Sequence, residues 1–333
     1  MSHLLLYSFP GAGHIIPLLD LIHLLLRRGL IITVMITAAD ISLLNPLLSS
    51  HPSSLHKLVY NEPEITPSPH HPLIAKLPQV VRDYKTGDQD LESFRKGMLA
   101  NLTSWGIVYN TFEKLEGVYI DYIKKYMGHP RVWAVGPLLP EKDGPVAVTG
   151  RGGSSVVPPG HLLRWLDQKP DESVVYICFG SQESGSTSGS SSIPGGFEDR
   201  VGNRGFVVKG WVPQLAILRH RAVGSFVTHC GWNSTLEGIT AGVMMFTWPM
   251  IADQFANAAL LVDQLGVGKR VCEGGPERVP DSVELARLLD ESLNGDRPER
   301  VKIKELNQAA AKAVEQGTST RDLDAVIKLL SEI

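Results

Sequence analysis

Apolar positions along the chain switch between short continuous runs and a helical rhythm. Residues 3–8 are an apolar run of strand length, and Phe9-Pro-Gly-Ala-Gly-His14 is a turn signal. Leu18, Leu21, Ile22 and Leu25 then recur at helical spacing. Pro17 falls where a first helical turn tolerates proline, and Arg27-Arg28-Gly29 supplies a basic last turn and a capping glycine. Residues 30–37 are rich in β-branched side chains and predict a fully buried strand. Strand, helix and strand in this order predict a βαβ unit and a parallel sheet. Asp40 is expected to cap a further short helix. More strands are expected at 57–60, 106–110 and near 133, and helices at 89–102 and 113–127. Residues 141–159, rich in Gly, Pro and Ser, read as a linker. A second α/β block follows. It predicts strands at 173–179, 206–209, 225–229 and 244–247, and helices at 162–166, 234–242, 254–265, 282–293, 300–316 and 320–333.

Composition narrows the class without naming it. The chain has 333 residues, 43% of them hydrophobic and 20% charged, enough to fill one large or two medium domains. A net charge of −3 gives no basic excess for nucleic acid or an anionic membrane. Cys178, Cys230 and Cys272 are odd in number and widely spaced, neither a disulfide framework nor a zinc pattern. Met1-Ser-His-Leu-Leu-Leu-Tyr7 lacks a basic leader region, and no stretch approaches the roughly 18 apolar residues of a membrane span. A cytoplasmic location is the expectation.

Candidate chemistry sits at predicted strand ends, where ligands of open α/β sheets bind. His14 follows flexible glycines at a helix mouth, where it is either a general base or a capping or packing histidine. Gly11 and Gly13 fit the start of a dinucleotide fingerprint, but Ile16 replaces its third glycine, which disfavours a nicotinamide enzyme. No G-x-S-x-G elbow supports a serine hydrolase. In Thr228-His229-Cys-Gly231-Trp-Asn-Ser234 a strand ends, a glycine bends the chain and a helix begins, a setting that favours phosphate. Asn233 and Ser234 are alternatively plain helix caps. Glu237, one turn on, either accepts from ribose hydroxyls or is a solvated surface charge. Asp253-Gln254 offers a carboxylate and an amide for sugar hydroxyls, and Trp211-Val-Pro-Gln214 an aromatic face for a base. Together these pieces predict a nucleotide-sugar pocket.

Residues 211–254 closely resemble the signature of plant family 1 (secondary-product) UDP-glycosyltransferases. Gly-His14-x-x-Pro17, Asn110-Thr-Phe-Glu-Lys-Leu-Glu116, Val135-Gly-Pro-Leu138 and Val175-Tyr-Ile-Cys-Phe-Gly-Ser181 also fall where that family has them. Gly-Phe-Glu-Asp-Arg200 and Val279-Pro-Asp-Ser282 are similar to flavonoid and phenolic O-glycosyltransferases. The resemblance implies an α/β chain of GT-B fold, two Rossmann-like doubly wound domains facing across a cleft. Residues 1–140 would form the acceptor domain, 141–160 the linker and 161–315 the UDP-sugar domain, with 316–333 a helix packing back on the first. It implies inverting transfer of a sugar, by expectation glucose, from a UDP-sugar to a phenolic or flavonoid hydroxyl, by a monomer without metal or resident cofactor. By position, Trp211 would stack on uracil with Gln214 beside it, and Glu237 would hold the ribose. Ser181, His229, Gly231, Asn233 and Ser234 would line the diphosphate. Trp232, Asp253 and Gln254 would hold the sugar, and His14 would deprotonate the acceptor.

The chain is short for this family, and its N-terminal domain is expected to be incomplete. One discontinuity is expected near Ala75-Lys76-Leu77, where relatives carry acceptor-pocket elements and an aspartate that orients the histidine. A second follows Gly180-Ser181. Missing strands would expose sheet edges. The competing expectation is therefore a relative, or truncated form, that binds UDP or a UDP-sugar without transferring it.

Overall fold

A computed structural model describes residues 2–8, 12–60, 89–140, 159–180, 193–275, 278–293 and 297–332. Ser181 and both expected discontinuities lie outside these residues. The first sheet holds β1 (His3–Tyr7), β2 (Ile31–Thr37) and β3 (Leu55–Tyr60), all parallel and in the order β1-β2-β3. Helices α1 (Ala12–Leu26) and α2 (Ile41–Ser50) make the crossovers. After α3 (Gln89–Leu102), strands β4 (Ile107–Tyr109) and β5 (Val132–Ala134) pair in parallel as a separate sheet around α4 (Glu113–Met127).

The remaining elements form a four-stranded parallel sheet and its helices. They are α5 (Pro159–Asp167), β6 (Val174–Cys178), α6 (Phe197–Val201), α7 (Gln214–Leu218), β7 (Val223–Thr228), α8 (Trp232–Ala241) and β8 (Met244–Thr247). There follow α9 (Gln254–Ala259), β9 (Gly268–Arg270), α10 (Ser282–Leu293), α11 (Pro298–Glu315) and α12 (Thr318–Ser331). The strand order is β6-β7-β8-β9. Every residue of β7 and β8 is buried, and the alternation along them explains why. Phe226 and Met245 point to one face and pack with Leu236 and Ile239 of α8 and Ile303 and Leu306 of α11. Val227, Met244 and Phe246 point to the other and pack with Leu288 and Leu289 of α10. Helices on both faces make this half doubly wound, as expected.

The first sheet departs from expectation. β2 alternates: Ile32, Val34 and Ile36 are buried, while Ile31, Thr33 and Met35 are only half-buried. Among the described residues α1 and α2 cover one face only. Leu5 and Tyr7 on β1 remain 63% and 58% exposed. Residues 206–209 join no sheet, and the helix expected at 254–265 ends at Ala259 and continues as a π-turn, Leu260–Gln264.

The last helix returns to the first half. Leu323 and Val326 of α12 lie in one cluster with Ile15, Ile22, Trp133 and Val135. Each such buried side chain is worth about 1.5–3 kcal/mol. Ala134 N donates to Asp322 Oδ2 (2.8 Å), Ser319 Oγ donates to the Gly136 carbonyl (2.6 Å), and Arg28 Nε meets Asp324 Oδ1 (2.9 Å).

Candidate functional site

β7 ends at Thr228, and the chain turns sharply through Cys230, whose φ of 65° is left-handed. Thr228 Oγ1 steadies the turn by accepting from Cys230 N (3.0 Å). Gly231 is the N-cap of α8, so Asn233 and Ser234 lie inside the first turn rather than at its cap. The first amides of that turn point toward the sheet's carboxyl end, as an anion site requires.

The His229 ring fills the gap between Gly180 and Gly231. A Cβ on Gly180 would lie 2.6 Å from His229 Nε2, and one on Gly231 2.4 Å. Gly180 also has a φ of +88°, which a side chain would strain. Among the described residues, His229 Nδ1 is buried and has no hydrogen-bond partner, which suits a ligand oxygen. Burial lowers the His229 pKa below 6.5, opposed in part by a backbone bond to Cys178 and by the Asp253 carboxylate. With the folded pKa below the unfolded one, stability is intact above 6.5 and is lost as pH falls through that value and below. The His229→Gln variant should therefore lose less stability on acidification than wild type in denaturant titrations. Parallel pH profiles would contradict this.

Three signature residues form one part-buried network. Gln214, at the head of α7, donates from Nε2 to Ser234 Oγ and to Glu237 Oε2, both at 2.9 Å. Tyr176 OH of β6 donates to Gln214 Oε1 (3.3 Å). Glu237 is only 7% exposed, so it is not a solvated surface charge. A buried carboxylate needs hydrogen-bond donors, and Gln214 supplies one here.

The loop after β8 is ordered by its own amide. Gln254 Oε1 accepts from Met250 N (2.8 Å) and Ile251 N (3.0 Å), across a turn in which Ala252 has a φ of 55°. Asn257 Nδ2 donates to Asp253 Oδ2 and to the Cys230 carbonyl, both at 2.9 Å. Asn257 thus ties the loop after β8 to the turn after β7. Sequence reasoning missed it, although its i+4 spacing from Asp253 was a usable signal.

Two bonds join the halves of the protein here. Trp232 Nε1 donates to the Asn110 carbonyl (2.8 Å), and Asn110 Oδ1 accepts from Leu138 N (2.7 Å). Asn233 Nδ2 donates to the Gly13 carbonyl (2.7 Å). Pro17 explains why that carbonyl is available. α1 begins at Ala12, so proline stands inside the helix, four residues after Gly13, and not in its first turn as expected. Lacking an N–H, Pro17 cannot bond to Gly13 O. His14, next to Gly13, is exposed. Trp211 is half-buried and packs on the cluster containing Ile15, Trp133 and Leu323. Of the expected site residues, His229, Gly231, Ser234, Gln214 and Glu237 thus surround one helix mouth. Asp253 is tied to it through Asn257, with Gln254 next in sequence, and His14 through Gly13.

Comparison with known proteins gives the same direction. The family described as UDP-glucoronosyl and UDP-glucosyl transferase matches residues 197–273. A flavonol 3-O-glucosyltransferase, UGT89B1 of Arabidopsis thaliana, is 36% identical, covering 98% of this chain and 96% of that one. A flavonol 7-O-rhamnosyltransferase of the same plant is 33% identical, covering 98% and 97%. The crystal structure of Arabidopsis thaliana UGT89C1 complexed with UDP-L-rhamnose superposes with a TM-score of 0.82 at 33% identity, over 99% of each chain. The alignment with the glucosyltransferase runs 460 positions against 333 residues, so at least 127 positions (460 less 333) have no residue of this chain opposite them.

Proposed function

The chain belongs to the plant family 1 UDP-glycosyltransferases and is a UDP-dependent hexosyltransferase of GT-B fold; from that premise we propose an inverting transfer of glucose to a hydroxyl of a flavonoid or related phenol, with His14 as general base. The His14 imidazole takes the acceptor proton. The acceptor oxygen attacks the anomeric carbon opposite the diphosphate, the carbon–oxygen bond to the diphosphate breaks, and UDP leaves with the electron pair. The developing charge on the diphosphate meets His229, Ser234 and the first amides of α8. Glu237 accepts from the ribose, Trp211 stacks on uracil, and Asp253 and Gln254 face the sugar.

The observation that carries this reading is the bond from Asn233 to the Gly13 carbonyl. It sets the residue before the proposed base against the helix proposed to hold the leaving group. On this reading the proton acceptor and the leaving-group site are held together before substrates bind, a condition for proximity to contribute to rate. The flavonol relatives support the acceptor class. Glucose rests on the Asp253-Gln254 end of the signature, against relatives named for glucose and for rhamnose.

Calorimetric titration with UDP tests the donor site and should give saturable one-site binding. Turnover of UDP-glucose with a flavonol such as quercetin should follow. Silence with both UDP and UDP-glucose would overturn the reading, and faster turnover of UDP-rhamnose would overturn the choice of sugar.

A further inference from the structure

Tyr176 has no part in the transfer described above, yet it touches the amide that bridges to Glu237. Its ring stacks on Phe226 in the core, with centroids 5.2 Å apart and planes 25° from parallel. Its hydroxyl reaches Gln214 Oε1, and the other end of that amide reaches Glu237.

The direction of this chain of bonds follows from chemistry. An ionised carboxylate only accepts, so the amide nitrogen of Gln214 must face Glu237. The amide oxygen then faces Tyr176, whose hydroxyl must donate. Burial, reinforced by nearby Cys178 and Glu237, keeps the phenol protonated and therefore a donor. A glutamine held at one end only would be free to rotate or flip about its last torsion. Held at both ends, it presents its nitrogen to Ser234 and Glu237 in one orientation.

We propose that Tyr176 is a positioning residue for the donor nucleotide: through Gln214 it orients the Glu237 carboxylate, and so sets the preference for a ribose over a 2′-deoxyribose. This rests on the reading of residues 211–254 as a UDP-sugar site. The tyrosine itself touches no substrate; its effect is on which hydroxyls the carboxylate meets squarely.

The test is calorimetric titration of the whole chain with UDP and with 2′-deoxy-UDP. Wild type should prefer UDP by about tenfold or more, the worth of a hydrogen bond to a charged group. Tyr176→Phe keeps the stack on Phe226 and removes only the hydroxyl. It should cut that preference to about threefold or less, mainly by weakening UDP. In a Glu237→Gln background the same change should leave the preference unmoved. An equal loss for both nucleotides, or an unchanged preference, would overturn the proposal. If Tyr176→Phe does not fold, Gln214→Asn, one methylene too short to bridge, reads the same ratio. Wild type that binds UDP without preferring it to the deoxy form would sink the relay alone. Wild type that binds neither would sink the donor-site reading with it.

Discussion

Replacing His14 by alanine is expected to lower transfer by about 10²–10⁴-fold, the usual worth of a general acid–base group, while UDP affinity changes less than about twofold. The separation follows from geometry. His14 is exposed at the start of α1, so its loss leaves no cavity. The neighbouring link to α8 is made by the Gly13 backbone, which the substitution keeps. Steady-state kinetics and UDP titration on one preparation check both halves of the expectation. Equal losses of rate and affinity would mean that His14 serves the donor site rather than the acceptor proton.

Gly231→Ala should do the reverse and damage nucleotide binding first. The backbone of Gly231, at φ −59° and ψ 145°, suits any residue, so the conformation itself is not strained. The added methyl would instead lie 2.4 Å from His229 Nε2, and Gly180 blocks the ring's retreat on the other side. Overpacking of this kind costs about 1–3 kcal/mol, or roughly 5- to 150-fold in affinity if the turn absorbs it. UDP binding should weaken within that range. Gly160→Ala, where a Cβ meets nothing within 4 Å, serves as the control. Unchanged UDP affinity in Gly231→Ala would show that the His229 ring is not held against the ligand.

What could be read from the chain was local. Strand, turn and helix over 223–241 follow one another directly, so their order and the burial of the strand could be read from spacing, whereas the cap at Gly231 and the bond from distant Gln214 to Glu237 could not. The links between halves could not. Gly13 and Asn233 are 220 residues apart, and no pattern of apolar positions pairs a backbone carbonyl with a distant amide. Pro17 misled for a related reason: position in a helix depends on where the helix starts, and Ala12 gives no capping signal. β2 misled differently. Its residues are apolar on both faces, the mark of a strand covered twice, but among the described residues helices cover only one. The relatives' greater aligned length is in keeping with a strand whose outer row suits a larger domain.

The return of α12 also bears on how the protein is made. The bonds it contributes to the first half join residues 183, 188 and 296 positions apart. Such contacts close very large loops, and folding slows as sequence separation grows. On the ribosome, β1, β2, β5 and α1 emerge long before Leu323 and Val326 exist to cover them. The C-terminal sheet, built from neighbours in sequence, can assemble while that wait continues. The N-terminal half must keep its apolar surface from other chains until the last helix is synthesised.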